Sequence, residues 1–161
     1  MCGWVKEHAY ALSIEWTGNR GTGTSAYRAY GRDHLVRAEG KPEIAGSADR
    51  VFFGDQDRWN PEELLIAALA QCHMLSFLHV ACDAGVVVVD YRDHASGTLS
   101  LQPDGAGQVT EVTLRPEVTV ESDGGRDLQA LHDRARELCF IARSVNFPVR
   151  HEPTTRTRPP L

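Results

Sequence analysis

The chain has 161 residues, about one domain's worth, and 42% of them are apolar, enough to build a core. Seventeen Lys and Arg against 22 Asp and Glu leave a net charge of −5 with no polybasic run, which argues against nucleic acid or an anionic membrane as a partner. Four cysteines are too few for a disulfide scaffold, and Met1-Cys2-Gly3-Trp4-Val5-Lys6-Glu7 lacks the apolar stretch of a secretory signal, so a reducing cytoplasm is expected.

Tyr10, Leu12, Ile14 and Trp16 alternate with Ala11, Ser13 and Glu15, which predicts a half-buried strand over residues 9–16. Residues 17–23 (TGNRGTG) read as a hairpin turn, and extended stretches are expected around 26–30, 34–38 and 51–53, together a small antiparallel sheet. Asn60-Pro61-Glu62-Glu63 then predicts a helix start, with Asn60 as N-cap, Pro61 at the first helical position and Glu63 closing a capping box. With Gly85 as the stop, this helix runs roughly 36 Å at 1.5 Å per residue. Residues 64–82 within it carry no formal charge, close to the minimum for a membrane span; Gln71, His73, Ser76 and His79 interrupt the stretch, and a central helix in a soluble core is the preferred reading. Strands are expected over 86–91, 97–102 and 108–120, with a turn at Pro103-Asp104-Gly105, as a meander. Leu128, Leu131, Ala135, Leu138, Ala142 and Val145 recur at helical spacing and predict a second helix, ended by Phe147-Pro148-Val149. Residues 1–153 are expected to form a single domain and 154–161, rich in Thr, Arg and Pro, a solvated flexible tail.

Chemistry is sought first at the cysteines. Cys72 lies mid-helix and Cys139 near the end of the second helix, and free cysteine often does no more than fill space. Cys72 nevertheless shares one narrow helical stripe with Ser76, His79 and Asp83, and a polar stripe inside a core needs a purpose. The Cys72/His79 and His132/Cys139 pairs have a seven-residue spacing, which separates Cα atoms by roughly 10.5 Å along a helix, too far for one zinc ion to join. A Cys/His hydrolase needs a base for the thiol. His73 points about 100° away from Cys72 on the wheel and His79 lies two turns off, so that reading needs a histidine from elsewhere. Residues 18–23 lack the following helix and Lys-Ser/Thr closure of a phosphate loop.

Asn60-Pro61-Glu62-Glu63-Leu64-Leu65 leading to Ala70-Gln71-Cys72, a second helix reaching Arg136-Glu137-Leu138-Cys139, and Trp16-Thr17-Gly18-Asn19-Arg20-Gly21-Thr22-Gly23 near the start together resemble the OsmC/Ohr family of thiol-dependent peroxidases. The resemblance spans nearly the whole chain in order. It implies an α+β fold built as an intertwined homodimer, with antiparallel sheets wrapped around long central helices, and reduction of organic hydroperoxides to alcohols. Cys72 would be the peroxidatic thiolate, Cys139 the resolving thiol, Arg20 the cation beside the thiolate and Glu62 the carboxylate orienting Arg20. No cofactor is implied, since a small-molecule or protein thiol supplies the reducing equivalents.

From the residues alone, the helix dipole also accounts for Glu62 and solvent exposure for Arg20, while Arg28, Arg32 and Arg37 are rivals for the cation's role. Cys2 and Cys82 match no family position. The family commonly has Pro after its second cysteine and an aromatic residue after its first, where this chain has Phe140 and His73, and residues 31–59 are longer than its pattern. These departures bear on substrate and reductant. The alternative function is a non-enzymatic module holding an apolar or thiol-containing ligand in the groove beside Cys72. Glu62 and Cys72 lie ten residues apart on one helix, roughly 15 Å along its axis, so a site using both is expected to draw its glutamate from a second copy of the chain.

Overall fold

The computed structural model describes residues 7–159, which form a mixed α+β fold. They fall into two compact units, parting between Pro61 and Glu62.

The N-terminal unit holds a three-stranded antiparallel sheet of β1 (Ser13–Trp16), β2 (His34–Arg37) and β3 (Ile44–Gly46), in that order. Trp16 stands opposite His34 and Ser13 opposite Arg37, where β2 ends, so residues 9–12 find no strand to pair with and the expected strand is halved. Its apolar residues are exposed rather than half-buried, from Tyr10 at 92% to Trp16 at 43%. Residues 17–33 form a long loop instead of a tight hairpin turn. Hydrogen bonds from Thr17 N to the Asp33 carbonyl (2.9 Å) and from Gly31 N to the Gly18 carbonyl (2.8 Å) zip its base. A Cβ on Gly18 would lie 2.0 Å from the Gly31 oxygen, so only glycine permits this approach. Residues 26–30 turn rather than extend, because Arg32 donates to the Tyr30 carbonyl (2.6 Å) and the Tyr27 carbonyl (2.7 Å) and folds the segment around its guanidinium. The expected extended stretch at 51–53 is instead a 3-10 turn, Arg50–Phe52, capped by Asp49 accepting from Val51 N at 2.8 Å.

The C-terminal unit takes in α1 (Pro61–Asp83) from Glu62 onward, and Gly85 follows in the left-handed region at φ 75°, as the start and stop signals predict. Leu69, His73, Phe77, Val80 and Ala81 form its buried face. Leu75 and Leu78 are exposed. By length and composition α1 is apolar enough to cross a membrane, and only 28% of its most apolar stretch is buried, so it serves as a core helix along one face alone.

The chain continues through β4 (Val88–Asp93), β5 (Ser96–Leu101), β6 (Gly107–Leu114) and β7 (Pro116–Val120) to α2 (Leu128–Leu138), then β8 (Val149–His151) and β9 (Thr154–Thr157). The expected strand over 108–120 is two strands, because at Arg115-Pro116 the chain leaves one sheet for another; the Asp93 carboxylate accepts from Arg115 N at 2.7 Å beside the break. The sheets are ordered β4-β7-β9 and β5-β6-β8, with β8 and β9 running parallel to their neighbours, so the connectivity is not a meander. The expected flexible tail at 154–161 is therefore corrected over Thr154–Thr157: its β-branched threonines pair with β7, and Arg156 and Arg158 meet Glu117 (3.6 Å) and Glu121 (2.7 Å). The second helix stops at Leu138, and a 3-10 turn, Ala142–Ser144, carries on the apolar spacing. Asp127 caps its start by accepting from Gln129 N (3.0 Å) and Ala130 N (3.2 Å). One core gathers Phe77, Ala81, Val86, Val118, Val120 and Ala135; the other, Leu69, Val112 and Leu114.

Candidate thiol site

Cys72 sits mid-way along α1, half-buried, and Cys139 caps the end of α2 at 1% exposure with an extended backbone. The two side chains lie close enough for Cys72 to act on the Cys139 thiol. Burial pushes the Cys139 thiol up to about 11; the neighbouring Cys72 side chain and its charge add to the rise, while the Ala142 and Ile141 backbone opposes it. Cys139 thus keeps its proton, and Cys72 is the more accessible sulfur of the two. Such a pair can attack through one sulfur and close a disulfide through the other. Of the remaining cysteines, Cys82 is exposed, and Cys2 lies outside the described residues.

The stripe expected to extend from Cys72 into a core does not do so on this chain. His79 and Asp83 are exposed and form an ion pair at 3.4 Å, an ordinary helix-surface contact. Glu62 is half-buried in the first turn of the unbroken α1, ten residues from Cys72, so one helix does not bring them together. Arg20 lies in the 17–33 loop of the N-terminal unit and borders a cavity of about 620 Å³ with Arg50, Asp55 and Asp57. The three rival arginines are committed elsewhere. Arg37 pairs with Glu15 and Glu43, Arg28 lies 4.5 Å from the Phe53 ring centre, and Arg32 lies 4.1 Å from the Tyr30 ring centre and 4.5 Å from that of Tyr27. No hydrogen bond or ion pair ties down Arg20 among the described residues.

Next to the thiols lies a buried histidine cluster that the sequence motifs do not announce. His73 on α1 is 0% exposed and His132 on α2 is 2% exposed, and their rings approach with Nε2 of one 3.4 Å from Nδ1 of the other. His132 Nε2 lies 2.9 Å from Thr155 Oγ1 on β9, and the His151 ring on β8 lies 4.4 Å from that of His73. Phe77 stacks on His132 at 4.0 Å. Burial drives all three imidazoles toward the neutral form: His73 to about 3, with the charges of His151 and His132 adding, and His132 to about 4, with His151 adding and Asp133 opposing. His151 also falls to about 4, through burial and then Arg136, with the nearby Val149 backbone and Asp133 opposing. His73 Nδ1 has no hydrogen-bond partner, and Val149 stands outside bonding geometry to either nitrogen of His151. The available signal was the row Leu69, His73, Phe77 at four-residue spacing, which places His73 on the apolar face. Among the described residues no group of three or more His, Cys, Asp or Glu has the geometry to hold a metal ion.

Residues 54–154 match the family of OsmC-like proteins. The chain belongs to that family. Glu62, Cys72 and Cys139 of this OsmC-like chain fall within the matched residues and Arg20 falls before them. Among solved structures, an OsmC-like protein of unknown function from Vibrio cholerae is 31% identical, with a TM-score of 0.82, over 92% of this chain and 100% of its own. The organic hydroperoxide resistance protein OhrB of Bacillus subtilis shares the fold at 19% identity and a TM-score of 0.63, over 91% of this chain and 98% of its own. The uncharacterized protein YmaD of Bacillus subtilis is 22% identical, covering 88% of this chain and 89% of YmaD.

Proposed function

We propose that this OsmC-like protein is a thiol-dependent peroxidase that reduces organic hydroperoxides to alcohols. The observation that carries the reading is the contact between Cys72 and the more deeply buried Cys139, whose thiol is held protonated. The Cys72 thiolate attacks the terminal peroxide oxygen, the O–O bond breaks, and the departing alkoxide takes a proton and leaves as the alcohol. Cys72 is left as a sulfenic acid. Cys139 then gives up its proton and attacks the Cys72 sulfur; a disulfide forms and the hydroxyl leaves with a proton as water. An external thiol or dithiol restores both thiols, and no bound cofactor takes part. The presence of an organic hydroperoxide resistance protein among the structural relatives supports this substrate class.

Arg20 is the cation assigned to the thiolate, and its lack of other partners favours it over Arg28, Arg32 and Arg37. Glu62 orients Arg20 from a second copy of the chain, since its own helix holds it ten residues from Cys72. A homodimer also accounts for the exposed leucines of α1 and the uncovered face of β1. The protein works in the reducing cytoplasm.

The test is a thiol titration before and after one equivalent of cumene hydroperoxide. Loss of two thiols per chain, abolished by Cys72→Ser, supports the peroxidase; retention of every thiol supports a ligand-binding module instead. Mixing inactive Cys72→Ser subunits with inactive Glu62→Ala subunits restores activity if the site is shared, and leaves none if each chain builds its own.

A further inference from the structure

Three imidazoles in a protein core are costly neighbours. Each polar ring loses its water, and a buried nitrogen without a partner costs more than an apolar side chain of the same shape. His73 carries such a nitrogen and yet is wholly buried, so packing alone does not account for the cluster. Its geometry is that of a directional tie. The His73 and His132 ring centres are 5.7 Å apart, which is what the 3.4 Å nitrogen separation plus two ring radii give, so the rings meet end to end through one shared proton. With His73 Nε2 donating to His132 Nδ1, His132 Nε2–H donates to Thr155 Oγ1, and His73 Nδ1 is left as a bare lone pair instead of a stranded N–H.

The tie joins the two helices that carry the thiols. His73 directly follows Cys72 on α1, and His132 lies two turns before Cys139 on α2. We propose that the His73–His132 hydrogen bond is a positioning device: it fixes α1 and α2 in the register that sets Cys139 against Cys72, and it governs disulfide closure, not the first attack on the oxidant. Apolar contacts between the helices tolerate sliding, because dispersion has no direction, whereas an N–H···N bond with its far end anchored on Thr155 admits one register. The proposal rests on reading Cys72 as the attacking thiol and Cys139 as the resolving one.

The experiment uses a chromogenic aryl disulfide in a Cys2→Ser, Cys82→Ser background. The Cys72 thiolate attacks the reagent, forming a mixed disulfide and releasing one aryl thiolate. Cys139 then loses its proton to solvent, attacks the Cys72 sulfur and releases the second. His73→Phe keeps an aromatic ring and removes the bond, so the first release is unchanged and the second slows by about tenfold, the worth of one hydrogen bond. His73→Gln, whose amide N–H reaches the same acceptor, restores the second phase. Thr155→Val leaves both rings in place and removes only the anchor; it slows the second phase by about threefold and tests the register even where a Phe ring is not accommodated. Equal slowing of both phases, or an unchanged second phase in the Thr155→Val protein, overturns the proposal. If the parent protein shows both phases but keeps all its thiols in cumene hydroperoxide, the peroxidase reading fails and the positioning role stands.

Discussion

The two units divide the apolar residues unequally. Among the described residues every buried apolar side chain, from Leu69 to Cys139, belongs to the C-terminal unit, while the N-terminal unit exposes Tyr10, Leu12, Ile14, Tyr27, Val51, Phe53 and Trp59. The C-terminal unit has two cores of its own; the N-terminal sheet is held by its ladder, by the bonds at the base of its loop and by guanidinium–ring contacts around Arg32. Alternating sequence therefore means different things in the two. In β6 and β7 it marks residues that fold against α1 and α2, and in residues 9–16 it marks side chains that stay exposed among the described residues.

The largest effect expected from this contrast is at Phe77, which is 0% exposed and packs against both Tyr91 and His132. Phe77→Ala is expected to cost about 3–5 kcal/mol in urea unfolding, the usual result of emptying a well-packed aromatic site. A cost below about 1 kcal/mol would show that the C-terminal core is looser than its burial indicates.

Acid should separate the units next. The core histidines have folded-state values below the unfolded 6.5, so the unfolded chain binds more protons; their contribution is complete above pH 6.5 and falls as pH drops toward 4. For His132, at about 4 when folded, the loss at pH 4 is about 3 kcal/mol. Urea midpoints measured between pH 7 and pH 4 read this, and His132→Phe flattens the curve; an equally steep curve in that variant would assign the acid sensitivity elsewhere.

The smallest effect belongs to the N-terminal face. Ile14→Ala removes an exposed side chain whose cross-strand neighbour is Val36, and in dilute protein it costs about 0.5 kcal/mol. In concentrated protein the cost grows if a second chain covers that face, so unfolding midpoints at two concentrations sharpen the comparison. A large, concentration-independent cost would mean that the face is already buried within one chain.

How much of this was legible depended on how strongly a segment carries its own signal. Asn60-Pro61 and Gly85 bracket α1 correctly because caps are local chemistry. Strand order was not legible. Val149–His151 and Thr154–Thr157 are too short to show a period, and only their parallel partners, distant in sequence, make them strands. The end of α2 was misplaced because Ala142 and Val145 keep the helical spacing through a 3-10 turn after the helix has ended. His73 points away from Cys72 on the helical wheel, and that direction is what carries it into the core beside His132.

The late parallel strands also bear on how the protein is made. β8 and β9 complete one sheet each, and they bring His151 and Thr155 to rings that α1 and α2 have already presented. A nascent chain therefore cannot finish the β5-β6-β8 sheet until residue 151, or the β4-β7-β9 sheet until residue 157, has cleared the ribosome, and β6 and β7 each wait with an open edge. Translation stalled after α2 leaves both thiol-bearing helices without the strands behind them, a species exposed to chaperones and proteases and prone to mispairing of those edges.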